Sequence, residues 1–99
     1  MQKKYELLPK EENGLCRIKA LIDIPDYGVK IGDIGGYIES EKNLSHEGKC
    51  WVSGDAWVFG NARVYENAQV SGNSWVSGDA KVFGNARVYG DAEVFGQQK

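Results

Sequence analysis

Few side chains in this 99-residue chain suit covalent or proton-transfer chemistry. Histidine occurs once, at position 46, which excludes a three-histidine zinc site. The two cysteines, Cys16 and Cys50, are too few for a disulfide scaffold. Each is expected to be a buried, inert thiol: Cys16 lies in an alternating apolar stretch and Cys50 falls on a small inward position. Asp55, Asp79 and Asp91 follow glycines and read as turn residues, as do the repeated Gly-Asn and Gly-Asp pairs, which form no phosphate loop. Asn43-Leu44-Ser45 spells a glycosylation sequon, without meaning in a cytoplasmic chain. No metal and no cofactor is expected. The stronger signal is physical. Eight of the eleven aromatic residues lie beyond position 50, and Arg63 and Lys81 accompany Tyr65 and Phe83 at equivalent positions.

These residues are spaced by a repeat. Valine stands at 52, 58, 64, 70, 76, 82, 88 and 94. Glycine follows two residues later in each unit, except at Glu66. Asn or Asp comes next, then Ala or Ser. A fixed short period signals a solenoid. β-Branched valine suits a strand, and Gly followed by Asn or Asp suits a turn with positive φ. Three such sides make a triangular coil of 18 residues, each side pairing with its equivalent one coil along, about 4.8 Å away. Stacking then gives turn columns Asp55–Asn73–Asp91, Asn61–Asp79–Gln97 and Asn67–Asn85, in which no Asp meets an Asp. Like charges directly opposite are unfavourable, so the columns agree with the coil.

The units V-x-G-[ND]-A-x resemble the hexapeptide-repeat, left-handed parallel β-helix superfamily. Residues 28–52, from Gly28-Val29-Lys30-Ile31-Gly32 through Gly35-Gly36-Tyr37-Ile38 to Cys50-Trp51-Val52, resemble a lead-in segment of bacterial and bacteriophage hexapeptide proteins, often labelled transferases or polymer-forming proteins. With the repeats, the resemblance spans roughly 70% of the chain. It implies left-handed coils and hardly constrains a biochemical role. The fold class expected is all-β: a short left-handed parallel β-helix of about 2.6 regular coils with a small N-terminal β cap. Hexapeptide acyltransferases rely on a catalytic histidine, and His46 is the one residue available. Those enzymes carry more coils and a projecting loop, whereas residues 51–96 run without insertion, so His46 reads as structural.

Upstream, residues 1–33 are expected to cap the solenoid, with strands at Tyr5–Leu8 and Leu15–Ile24, the latter turning Cys16, Ile18, Ala20 and Ile22 to one face. Residues 34–50 read as an irregular lead-in coil. There Ile34 takes a valine position, Ser40 and His46 take the next two, and Ile38 and Leu44 are too large for the alanine positions. Residues 51–99 form the regular β-helix.

Alternation directs every residue flanking a valine outward. One face then carries Trp57 stacked on Trp75, with Phe59 and Phe95. A second carries Arg63, Tyr65, Lys81 and Phe83, with Lys99 near its end. The third carries Trp51, Ser53, Gln69, Ser71, Arg87 and Tyr89. Exposed aromatic area of this size marks an interface. Trp51, Trp57, Phe59, Trp75, Tyr89 and Phe95 are therefore the candidate partner or oligomer contacts, alongside packing against the cap. Arg63, Tyr65, Lys81 and Phe83 form the candidate anionic-partner face, with Glu66 available to neutralise the cations.

The charge balance is even: eight basic and nine acidic residues in 1–50, four and five in 51–99, net −2. That disfavours a nucleic-acid or anionic-membrane binder. No transmembrane span is present, and the first residues lack a signal peptide's apolar run, so a cytoplasmic location is expected. The expected function is non-enzymatic: a homo-oligomer, by resemblance phage-encoded, that binds and blocks a host protein. Alternatives are sequestration of an anionic nucleotide-like ligand, an acyltransferase-like relative and a self-assembling structural solenoid. A dimer is favoured over a trimer, because only Gln97-Gln98-Lys99 follow the last repeat and strand edges would be bare there.

Overall fold

The computed structural model describes residues 3–95. The Gln97–Lys99 end, and with it the lower members of the turn and basic columns, lies outside the described residues. Among those residues all regular structure is β, apart from two short 3-10 turns at Pro25–Tyr27 and Glu41–Asn43. No helix is long and apolar enough to cross a membrane.

The repeat folds as its period requires. β5 (Trp57–Val58), β6 (Arg63–Val64) and β7 (Gln69–Val70) are separated by tight turns and pair in parallel with strands 18 residues on. Those partners are β8 (Trp75–Ser77), β9 (Lys81–Val82) and β10 (Arg87–Val88). β4 (Trp51–Val52) sits above β7, and β11 (Glu93–Phe95) lies below β8. The backbone ladder continues through the turns: Trp57, Phe59 and Asn61 donate to the carbonyls of Ser74, Val76 and Gly78 at 2.9–3.0 Å. The stacked coils form a β-solenoid of about three turns. Its interior is a column of valines, buried from Val52 to Val88, with Ala56, Ala62, Ala68 and Ser74 buried at the corners, while Val94 is half-buried and the corner residues Ala86 and Ala92 are exposed. Two rungs of the turn columns are joined by side-chain bonds, Asn61 Nδ2 to Asp79 Oδ1 at 3.3 Å and Asn73 Nδ2 to Asp91 Oδ1 at 3.5 Å.

The lead-in departs from its expected register. β3 (Ile34–Ile38) pairs with β5 through Tyr37–Trp57 and Ile38–Val58, an offset of 20 residues rather than 18. Leu44 bridges Val64 with the same offset. Ile38 and Leu44 therefore occupy the valine positions and are fully buried, while Ile34 is half exposed. The expectation that Ile34, Ser40 and His46 continue the valine series is corrected. The two additional residues lie between Leu44 and Val52, where Lys49 and Cys50 both donate to the Glu66 carbonyl. Gly48, at φ +74°, makes that turn directly against the Glu66 backbone. Beyond the insertion, Cys50 returns to the small-residue column and is completely buried.

The cap extends one face of the solenoid. β1 (Tyr5–Leu7) and β2 (Cys16–Ala20) are antiparallel, and β2 pairs antiparallel with β3. The result is one six-stranded sheet in the order β1-β2-β3-β5-β8-β11. Cys16, Ile18 and Ala20 turn inward as expected, and the strand stops before Ile22.

Candidate binding faces

The basic pair is positioned by the parallel ladder. Arg63 lies directly above Lys81 because β6 and β9 pair at those residues. Both are exposed, and no ion pair involves either among the described residues. Glu66 forms no ion pair with either among the described residues. It occupies a glycine column at φ 62°, the only positive φ outside glycine among the described residues, and its Oε1 accepts from the Gly84 N–H at 2.8 Å. Two cations about 5 Å apart repel, so the pair favours an incoming negative charge. Beside it, Tyr65 and Phe83 stack at 5.2 Å with planes 11° apart. A shallow cavity of about 320 Å³ opens above, between Glu41, Lys42 and Ser45 of the lead-in and Arg63, Val64 and Tyr65 of the coil. Lys42 adds a third cation there, its Nζ held by Asn61 Oδ1 at 3.3 Å. Periodicity could not place Lys42, because it sits in the shifted lead-in.

The aromatic face also holds more than the repeat announced. Trp57 and Trp75 stack at 4.9 Å and 5°, with Phe59 edge-on to both at 6.3 Å. Tyr37 meets Trp57 edge-on at 6.2 Å, and Arg17 lies 4.3 Å over the Tyr37 ring. Trp57 and Phe59 are partly covered by these neighbours, whereas Trp75 and Phe95 stay exposed. The 20-residue step from Tyr37 to Trp57 hid the upper half of this column from a six-residue count.

The third face is covered by the chain itself at its upper end. Trp51, expected as a partner contact, is buried, in a cluster with Ile24, Val29 and Tyr27. The Pro25–Tyr27 turn is pinned there by an ion pair between Lys49 and Asp26 and a hydrogen bond from the Tyr27 hydroxyl to the Asn67 carbonyl. A tryptophan flanking a valine points outward from the coil, but this loop folds over it. Tyr89, further along, remains exposed.

The chemistry-bearing side chains gather at the N-terminal end of the solenoid. The Lys4 amide donates to His46 Nδ1 at 3.1 Å, so the imidazole proton sits on Nε2, which meets Glu41 Oε1 at 2.9 Å. Tyr5 stacks on the ring at 4.1 Å and donates its hydroxyl to Leu44 O at 2.5 Å. His46 thus has both nitrogens engaged, Nδ1 by the Lys4 amide beside β1 and Nε2 by the Glu41 carboxylate of the Glu41–Asn43 turn. The bond from His46, with help from Lys3, holds the Glu41 carboxyl below its ordinary value. Lys4 is buried, its Nζ donating to Cys50 O at 2.6 Å and lying 3.2 Å from Cys50 Sγ. Burial pushes the Lys4 amine down and the Cys50 thiol up, each partly opposed by the other. Asn43, the sequon asparagine, is fully buried. It accepts from the Glu39 and Ser40 amides and donates to the Gly60 and Ala62 carbonyls. Among the described residues no three His, Cys, Asp or Glu side chains are grouped as metal ligands.

Comparison with known families gives one match. The model of the YdcK beta solenoid repeat matches residues 56–72 and 62–78, two windows offset by one side of the coil. No curated protein and no solved structure matches the chain. The match falls within the regular coils and describes a repeat.

Proposed function

We propose that this β-solenoid protein is a non-enzymatic, homo-oligomeric binding module whose second face engages an acidic surface of another protein. The observation that supports this reading is the Arg63–Lys81 pair, stacked on adjacent strands, with the Glu66 carboxylate tied to a backbone amide and the Glu41 carboxylate across the cavity tied to His46 and Lys3. An acidic partner would relieve the repulsion between the two cations, and the Tyr65–Phe83 stack beside them supplies apolar contact. The engagement of both His46 nitrogens favours this reading over acyl transfer. By the resemblance of the lead-in and repeats, the partner is a host protein of a bacteriophage-encoded chain, which the module would block.

The test is charge reversal on a face that plays no part in folding. The Arg63→Glu, Lys81→Glu protein should melt like wild type and lose a partner that wild type retains. Rising salt should weaken the wild-type complex. A partner held equally by both proteins overturns the assignment of this face. Retention of a nucleotide by wild type, lost on reversal with no protein partner captured, would favour the nucleotide-like ligand instead.

A further inference from the structure

The six-stranded sheet carries one outward column in continuous register: Arg17, Tyr37, Trp57, Trp75 and Glu93. It begins in a cation, ends in an anion and is aromatic between. At about 4.8 Å per rung its ends lie roughly 19 Å apart. Arg17 is already held, its Nη1 donating to Gly35 O and Gly54 O and its Nη2 in an ion pair with Asp55 Oδ1 at 2.9 Å, so a partner's carboxylate would share the guanidinium with Asp55. Three donors serve those bonds, so two of the guanidinium's five remain. Glu93 is exposed, and no ion pair involves it among the described residues.

We infer that this face pairs with the same face of a second copy, reversed along the solenoid axis. The column is self-complementary only in that sense. A two-fold axis in the plane of the interface, running along the Trp57 strand, sets Trp57 against its own copy and Tyr37 against the partner's Trp75. It sets Arg17 against the partner's Glu93, twice over by symmetry. The second column on the face behaves likewise at its centre. Phe59 follows Val58 on the axis strand and so meets the partner's Phe59, whereas Ser77 is buried within its own chain. Copies running in the same direction would put Arg17 on Arg17 and Glu93 on Glu93, which the sign of the charges opposes. The arrangement gives Trp75, exposed in the single chain, an apolar partner. It also leaves the Arg63–Lys81 face free at both sides of the dimer. The inference rests on the oligomeric part of the proposed function and adds which face pairs and in which direction.

Sedimentation of the full chain tests it. Wild type should run at twice the 10.9 kDa chain mass. Glu93→Lys, a change on an exposed edge residue, should weaken the dimer by at least about tenfold, and Arg17→Glu in the same chain should restore it. Should the double variant fail to fold, single Tyr37→Cys and Trp75→Cys proteins replace it. A short bis-maleimide should link a mixture of the two and leave either alone unlinked. A wild-type chain that stays at the single-chain mass overturns both the pairing and the oligomeric reading. A dimer indifferent to Glu93→Lys, or cross-linked by Trp75→Cys alone, overturns the reversed pairing and leaves the oligomeric reading standing.

Discussion

The regular coils and the lead-in solve the same problem, closing a three-sided turn of chain, by different means. From Trp51 onward each side repeats one local solution: an inward valine, a turn, and an amide bonded to the carbonyl one coil below. Few side-chain hydrogen bonds are needed: some join neighbouring turns, and the Ser74 hydroxyl bonds within its own corner to Ser71 O. The lead-in has two additional residues, irregular sides and no coil above it. It is closed by bonds that occur once each: Asn43 to four backbone groups, Lys4 to Cys50, and Tyr5 to Leu44. A repeat is held by its neighbours, whereas an end must be held by individual polar contacts that fix register because nothing periodic does.

The comparison can be broken most sharply inside the repeat. Val76 is fully buried between Val58 and Val94. Val76→Asp buries an unpaired carboxylate, costs at least about 4 kcal/mol and should give unfolded protein by circular dichroism. Val94→Asp, at the half-buried last rung, should cost about 1 kcal/mol and leave a cooperative melt. Equal effects at both sites would mean the column is not graded from its centre outward.

Next comes the lead-in's own keystone. Asn43→Leu keeps the volume but strands the Glu39 and Ser40 amides and the Gly60 and Ala62 carbonyls. The expected loss is roughly 3 kcal/mol, seen as a fall in Tm of more than about 10 °C. Replacement of exposed Asn73, a turn residue of the repeat, by Ser should change Tm by no more than a few degrees.

Glu66 joins the two regions, since its carbonyl receives the insertion and its side chain caps Gly84. Glu66→Ala keeps the left-handed strain and loses the side-chain bond, for a cost of about 1 kcal/mol. Glu66→Gly relieves the strain while losing the same bond, so denaturant titration should find it close to wild type. An alanine variant more stable than the glycine variant would contradict this account.

The smallest effect is acid dependence. The folded Glu41 carboxyl lies below the ordinary 4.5, chiefly through its bond from His46. The unfolded chain therefore takes up that proton first as pH falls. The stabilisation is complete above the ordinary value and is lost as pH drops through the lowered folded one. Glu41→Gln should lose this stabilisation at neutral pH, a small fall in stability, and should flatten the curve below about pH 4.5, where wild type converges on it. An acid limb identical in both proteins would show that the His46–Glu41 contact does not persist in solution.

The chain itself determined the solenoid. Eight valines at a strict interval of six, each followed by a turn, leave no other way to bury one face of every short segment. The stacking of Trp57 on Trp75 and of Arg63 on Lys81 follows from the same count. Tertiary structure decided what periodicity cannot carry. Two residues inserted in a turn leave the strands around it looking alike in sequence, yet they move Ile38 and Leu44 into the valine column and carry Tyr37 and Arg17 to the head of the aromatic ladder. The fate of an outward side chain also depends on what else folds over it. Trp51 and Trp75 occupy equivalent positions beside inward valines, but the Pro25–Tyr27 loop reaches only the first. Strand direction is encoded locally, residue by residue. Burial of an outward face depends on contacts between segments distant in the chain, which close only when the whole molecule has folded.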